Sequence, residues 1–157
     1  MVSPKEIQER VFRRQIQISK KMGLPFQVHT REALDDTYEI IKSEGVGTAG
    51  AIMHSFSGTA EEALKFVELG MNISFSGVVT FKKALDVQEA ARLLPLDKIL
   101  VETDAPYLTP TPYRGKENTP GYTKYVVEKI ADLRGISMEE VAEATNENAL
   151  KIFDLKK

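Results

Sequence analysis

Two histidines and one aspartate follow apolar runs at three separate places in this chain. His29 and His54, the only histidines, each end such a run, and Asp104 stands just after the run at 98–102. Imidazole nitrogen and carboxylate oxygen are common ligands of zinc and other first-row divalent cations. A carboxylate beside such a cation can also take a proton from an activated water. The three residues indicate part of a metal hydrolase site.

Each of the three residues also has a structural interpretation. His29 at a strand end can simply bond a backbone carbonyl, His54 can be a polar strand terminus, and Asp104 can be a turn residue. Glu102, two positions before Asp104, is expected to be a hydrogen-bonded polar residue of the interior. Both histidines end strands in the same way, and this equivalence favours the metal site.

Three further side chains near these positions suit an anionic group such as phosphate. Arg31 follows His29 by two residues, and its planar guanidinium can pair with phosphate oxygens. Ser57 lies in a Ser-Phe-Ser-Gly turn before a capped helix, where anions bind readily. Arg114 belongs to a long loop at 105–120 and can either contact phosphate or cap a neighbouring helix.

The residues between these positions predict alternating strands and helices. Strands are predicted at 25–29, 50–54, 71–75 and 98–102. Helices are predicted at 3–23, 32–44, 59–70, 84–94, 122–133 and 137–145, with a last turn at 149–153. Capping boxes beginning at Ser3, Thr59 and Ser137 mark three of the helix starts. In the first of these helices, Pro4 is expected in the first helical position.

Four alternations of strand and helix predict an α/β fold with a parallel sheet built from right-handed crossovers. Four such units are about half of an eightfold barrel, which usually has about 250 residues. An open, doubly wound sheet is the alternative. We expect one partial barrel domain over 1–157, made of about four βα units and C-terminal helices.

Composition excludes several classes of function. The 157 residues are 42% hydrophobic and 28% charged, and the net charge of -2 gives no global attraction for nucleic acid. No apolar run approaches the roughly 18 residues that span a bilayer, so we expect no membrane partner. Cysteine is absent, which excludes disulfides and thiolate sites, and we expect a cytoplasmic protein.

Several segments together resemble the TatD family of metal-dependent deoxyribonucleases, which are amidohydrolase-like barrel enzymes. The resemblance covers nearly the whole chain, and its most specific part is Glu102-Thr103-Asp104-Ala105-Pro106-Tyr107-Leu108 combined with Arg114-Gly115-Lys116-Glu117-Asn118. The other matching segments are 3–8, 25–33, 54–58, 73–77 and 80–82.

This resemblance implies a TIM-type (β/α)8 barrel that holds two divalent metal ions, of which Zn, Mg and Mn are the candidates. It implies His29, His54 and Asp104 as metal ligands and Asp104 as the catalytic residue that helps to activate the attacking water. The substrate would be DNA, cleaved at phosphodiester bonds, with Arg31, Ser57 and Arg114 as candidate substrate-binding residues.

The sequence departs from the family pattern in one respect. The family's His-x-His pair does not occur, and no position matches the metal-bridging glutamate that an N-terminal strand carries. We therefore expect the C-terminal half of the barrel, impaired or inactive alone, with two open sheet edges and an exposed apolar inner face. Such a half should self-associate or pair with a missing N-terminal half. The alternatives are a non-catalytic oligomerisation module and a related hydrolase of small esters or amides.

Overall fold

The computed structural model describes residues 4–29, 34–102, 110–112 and 120–153. Its strands are β1 (Phe26–Val28), β2 (Ala51–Met53), β3 (Met71–Phe75) and β4 (Ile99–Val101). Its α-helices are α1 (Lys5–Met22), α2 (Leu34–Glu44), α3 (Ala60–Glu68), α4 (Leu85–Leu93), α5 (Thr123–Arg134) and α6 (Met138–Phe153). Short 3-10 helices lie at Gly77–Thr80, Leu96–Lys98 and Pro120–Tyr122. None of the helices in these ranges is both long and apolar enough to cross a membrane.

The four described strands form one parallel sheet in the order β1-β2-β3-β4. A helix connects each strand to the next, and α1, α2, α3, α4 and α5 contact one another in chain order. A doubly wound sheet needs a reversal of strand order, and none occurs among these strands. The α/β prediction with parallel βα units is confirmed, and the order is that of a barrel segment rather than of a doubly wound sheet.

The first helix begins two residues after its predicted start and ends one residue before its predicted end. Lys5 is its first helical residue and Pro4 lies one position before the helix, so the prediction of Pro4 in the first helical position is wrong. Gly23 ends the helix with a φ of 69°, a left-handed conformation that glycine adopts without a Cβ clash.

The predicted capping boxes differ in how completely they form. Thr59 accepts a hydrogen bond from the Glu62 backbone N–H, and the Glu62 carboxylate accepts one from the Thr59 N–H. Ser137 accepts from the Glu140 N–H at 3.1 Å, but the Glu140 carboxylate meets the serine hydroxyl instead of the backbone. The box beginning at Ser3 falls outside the described residues.

The last helix is longer than its sequence pattern predicts. We expected a helix at 137–145 and a separate turn at 149–153, whereas α6 is continuous from Met138 to Phe153. Asn148, a poor residue for a helix interior, is buried and donates from its side chain to the backbone oxygens of Leu96 and Ile99. These tertiary hydrogen bonds override the local preference that predicted a break.

The two faces of the sheet are covered differently. Alternate strand residues such as Met53, Ile73 and Ile99 belong to the main core, together with residues of the surrounding helices. The opposite face carries Ile52 and Leu100, which are buried in a small cluster with Ile152. The expectation of an exposed apolar inner face is therefore wrong at β2 and β4, because Ile152 of the extended α6 covers Ile52 and Leu100.

Candidate metal site at the carboxyl ends of the strands

Three side chains that can bind a metal or exchange a proton lie at the carboxyl ends of the strands, on the face of the sheet that carries Ile52 and Leu100. His29, His54 and Glu102 come two residues after Gln27, Ile52 and Leu100, respectively. Side chains two positions apart along an extended chain point to the same face. The strand register pairs Gln27 with Ile52 and so carries both histidines to the same level of the sheet.

The two histidines lie side by side although they are distant in sequence. Their ring centroids are 5.4 Å apart and the ring planes are inclined by 54°. The backbone N–H of His54 donates to the carbonyl of Val28 at 2.7 Å, which continues the pairing of β1 and β2 beyond the last strand residue. His29 is exposed, whereas the His54 side chain is only 18% exposed. The two imidazoles therefore lie next to each other at the carboxyl ends of β1 and β2.

Glu102 connects the end of β4 to the histidine after β2. Its Oε2 lies 2.7 Å from Nδ1 of His54 and accepts a hydrogen bond from the Ser74 hydroxyl at 2.5 Å. Its Oε1 is buried and has no hydrogen-bond partner among the described residues. The expectation of a satisfied interior carboxylate is thus correct for one oxygen and wrong for the other.

The turn after β2 is held by buried groups. Ser55 has a φ of 46°, and its hydroxyl lies 3.0 Å from that of Ser76. The backbone N–H of Phe56 donates to the carbonyl of Ser74, and the Phe56 ring packs edge-on against Phe75. Ser57, the candidate phosphate contact, is exposed just before the N-terminus of α3. The turn is therefore anchored while Ser57 faces solvent.

The histidine pair meets one geometric requirement of a shared cation. An ion about 2.0–2.1 Å from each imidazole nitrogen in tetrahedral geometry would separate the ring centroids by roughly 5 Å. The observed 5.4 Å agrees with that distance. Two nitrogen donors suit zinc and other first-row divalent ions. The described residues contain no group of three His, Asp or Glu side chains that could hold a metal, so these two supply only part of a ligand set.

The other predicted site residues cannot be placed. Asp104, Arg31 and Arg114 lie outside the described residues, so their roles stay predictions. Sequence reasoning missed the contacts of Glu102 with His54 and Ser74. The alternation of side chains along a strand could have indicated these contacts. Ser74 lies on the same face of the sheet as its register partner Leu100, and Glu102, two residues after Leu100, continues on that face.

Comparisons with known proteins give a consistent result. The family model described as TatD related DNase matches residues 2–154. The chain is 47% identical over 151 residues to the uncharacterized metal-dependent hydrolase YabD of Bacillus subtilis, covering 96% of this chain and 59% of that protein. It is 45% identical over 148 residues to the uncharacterized metal-dependent hydrolase YcfH of Escherichia coli K12, covering 94% of this chain and 56% of that protein.

A solved structure has the same fold. The crystal structure of YJJV, a TatD homologue from Escherichia coli K12, superposes with a TM-score of 0.89 at 29% identity. The superposition covers 95% of this chain and 57% of that one, so the chain spans a little over half the length of these relatives. On the matched family model and these identities, the chain belongs to the TatD related DNase family.

Proposed function

We propose that this chain contributes to a metal-dependent phosphodiesterase that hydrolyses DNA. The single observation that carries the proposal is the pair of imidazoles 5.4 Å apart at the carboxyl ends of β1 and β2. The names of the relatives support a metal-dependent hydrolase, and the family description supports DNA as its substrate. The carboxyl end of the strands is also where barrel enzymes carry their active sites.

In this proposal His29 and His54 hold a divalent cation together with Asp104. When bound, such a cation lowers the pKa of a coordinated water and neutralises charge on a phosphate oxygen. Asp104 accepts the proton of the attacking water. Arg31, Ser57 and Arg114 bind the phosphate by charge-assisted and hydroxyl hydrogen bonds and align it for attack.

The reaction then balances as a hydrolysis. The oxygen of water forms a bond to phosphorus as the bond from phosphorus to one sugar oxygen breaks. That sugar oxygen leaves as an alcohol after gaining a proton from solvent, and Asp104 returns to solvent the proton that it accepted from the attacking water. The other product is a phosphate monoester. The two histidines and Asp104 are regenerated unchanged. Because a complete two-ion site needs more ligands than these three, we expect this chain alone to bind about one ion and to be a weak nuclease.

Metal titration tests the site. Calorimetry with Zn²⁺ and Mn²⁺ on the purified chain should give about one ion per chain, and His29→Ala and His54→Ala should each weaken binding at least tenfold. Glu89→Gln is the matched control, since Glu89 pairs with Arg92 on the surface of α4. A chain that binds no ion, and whose His29→Ala variant behaves like the parent, would overturn the proposal in favour of a non-catalytic module.

A nuclease assay tests the substrate. End-labelled single-stranded and double-stranded DNA should be cleaved slowly, with cleavage abolished by a chelator and by His54→Ala. Competition decides between DNA and a small substrate. Metal-dependent cleavage of an ester or amide that excess DNA does not inhibit would replace the DNA proposal with the small-substrate alternative.

A further inference from the structure

Glu102 is the centre of a hydrogen-bonded group that joins three strand ends. Its Oε2 contacts both His54 Nδ1 and Ser74 Oγ, from the turn after β2 and from β3. Ser74 is only 2% exposed, and the Glu102 side chain is 16% exposed. The backbone N–H of Glu102 donates to the carbonyl of Phe75 at 2.9 Å, which fixes the start of this side chain against β3.

The contact between Glu102 and His54 determines which ring nitrogen carries a proton. When Glu102 is ionised its carboxylate can only accept hydrogen bonds, and Nδ1 of His54 is then the donor at 2.7 Å. A neutral imidazole with its proton on Nδ1 has its lone pair on Nε2. The same hydrogen bond restricts rotation of the ring about its side-chain bonds.

We propose that Glu102, itself held by Ser74, is a positioning residue that fixes the tautomer and orientation of His54 for metal binding through Nε2. This inference rests on the proposed function and goes beyond it, because it gives Glu102 a role that acts through its contact with His54. A carboxylate behind a ligating histidine raises its basicity and fixes its orientation, and removing such a partner typically weakens metal binding by about 10–100-fold.

Stability alone gives a poor explanation of this arrangement. Glu102 Oε1 is buried and has no hydrogen-bond partner among the described residues. A buried carboxylate that is only half satisfied is costly, and apolar replacements of buried polar groups are often neutral or stabilising. A structural role therefore predicts that removing Glu102 changes unfolding most, whereas a positioning role predicts that it changes His54 and metal binding most.

The first measurement is the tautomer in the metal-free protein. The chain has two histidines, so ¹⁵N-histidine labelling gives two imidazole spin systems, and His29→Gln identifies which is which. At mildly alkaline pH the parent should show His54 protonated on Nδ1. Glu102→Ala should give a mixture of tautomers, and Glu89→Gln should leave both rings unchanged. A His54 ring that keeps its Nδ1 proton in Glu102→Ala would overturn the inference.

The second measurement is affinity for Zn²⁺ alone by calorimetry. Glu102→Ala should bind about 10–100-fold more weakly, and Ser74→Ala should bind more weakly by a smaller factor, since Glu102 and His54 remain. The isosteric Glu102→Gln should lie between the parent and Glu102→Ala, and it keeps the test valid if the alanine variant unfolds. Affinities of Glu102→Gln and Glu102→Ala within about twofold of the parent would contradict the positioning role.

The two measurements separate failure of this inference from failure of the proposed function. If the parent binds zinc and His54→Ala loses it while both Glu102 variants bind normally, the inference is wrong and the proposed function stands. If the parent binds no zinc although Glu102 sets the His54 tautomer, the proposed function is wrong and the contact is structural.

Discussion

The imidazole rings of His29 and His54 lie 5.4 Å apart because the strands that precede them are hydrogen-bonded neighbours in register. Val28 pairs with Met53, so the next residue of each strand is one of the two histidines. A single backbone hydrogen bond, from His54 N–H to Val28 O, extends this pairing to the histidines themselves. The candidate site is therefore a direct consequence of strand register.

Metal binding should stabilise the fold. A ligand that binds only the native state at about a hundredfold its Kd adds about 2.7 kcal/mol. We expect Zn²⁺ to raise the thermal midpoint of the parent chain, and a chelator to reverse the shift. His54→Ala should remove most of the effect, and Glu89→Gln should retain it. An equal zinc-induced shift in His54→Ala would place the ion elsewhere.

Gly58→Ala should destabilise the turn between His54 and α3. A Cβ at this buried position would lie 2.8 Å from Phe56 Cζ and 2.9 Å from both Glu62 Oε1 and Leu34 Cδ1. Overpacking of this kind costs about 1–3 kcal/mol, measurable by urea denaturation. Ser57→Ala, at the exposed neighbouring position, should leave the free energy of unfolding nearly unchanged. An equal loss in both variants would contradict the steric explanation.

Asn148→Ala should loosen the start of β4, which leads to Glu102. The Asn148 amide donates to the carbonyls of Leu96 at 3.0 Å and Ile99 at 2.9 Å. Leaving buried acceptors unpaired costs about 1–3 kcal/mol, and we expect a loss of that size in chemical denaturation. The control is Asn146→Ala, an exposed asparagine of the same helix, which should change stability much less.

The packing of α1 against α2 should weaken in acid. A hydrogen bond from Gln17, opposed by partial burial and assisted by Arg13, lowers the pKa of Glu44 from its ordinary value of 4.5. A carboxyl with a lowered pKa in the folded state stabilises it above that ordinary value, and this stabilisation is lost as pH falls through the lowered pKa.

Urea midpoints measured across this acidic range should therefore fall less steeply in Glu44→Gln than in the parent. Glu61→Gln, an exposed residue of α3, is the control and should follow the parent. Identical slopes for Glu44→Gln and the parent would show that Glu44 does not contribute to the acid sensitivity.

We also propose that two copies of this chain associate through α1 and the edge of β1. In the described part of the chain β1 pairs only with β2, and a groove of about 430 Å³ lies between β1 and α1. Ile7 and Val11, which line it, are 47% and 51% exposed. Exposed apolar surface beside a strand edge that has no partner in the described ranges favours association.

Gel filtration with light scattering should give a dimer for the parent and a monomer for Val11→Glu. The control is Leu85→Glu, which adds the same charge at a residue 69% exposed on α4 and should stay dimeric. A monomeric parent would contradict the proposal. Such a result would leave pairing with a separate N-terminal half as the expectation to test by mixing.

Much of the fold follows from local patterns. The run at 71–75 alternates apolar Met71, Ile73 and Phe75 with polar Asn72 and Ser74, and it becomes β3 with the predicted bounds. Thr59 with Glu62 marks the start of α3 through a complete capping box. The end of α6 could not be predicted from local patterns, because the Asn148 side chain donates hydrogen bonds to carbonyls that are about fifty residues away in the sequence. Local propensity carries no information about such partners.

The sequence by itself determined the alternation of strands and helices and the position of His29 and His54 after two strands. Those features depend on residue type and periodicity, which act over a few positions. Only the tertiary structure decided that Glu102 contacts His54 and that the Ser74 hydroxyl donates a hydrogen bond to Glu102. That contact depends on the order and register of β2, β3 and β4, which are set by packing and hydrogen bonds between distant segments.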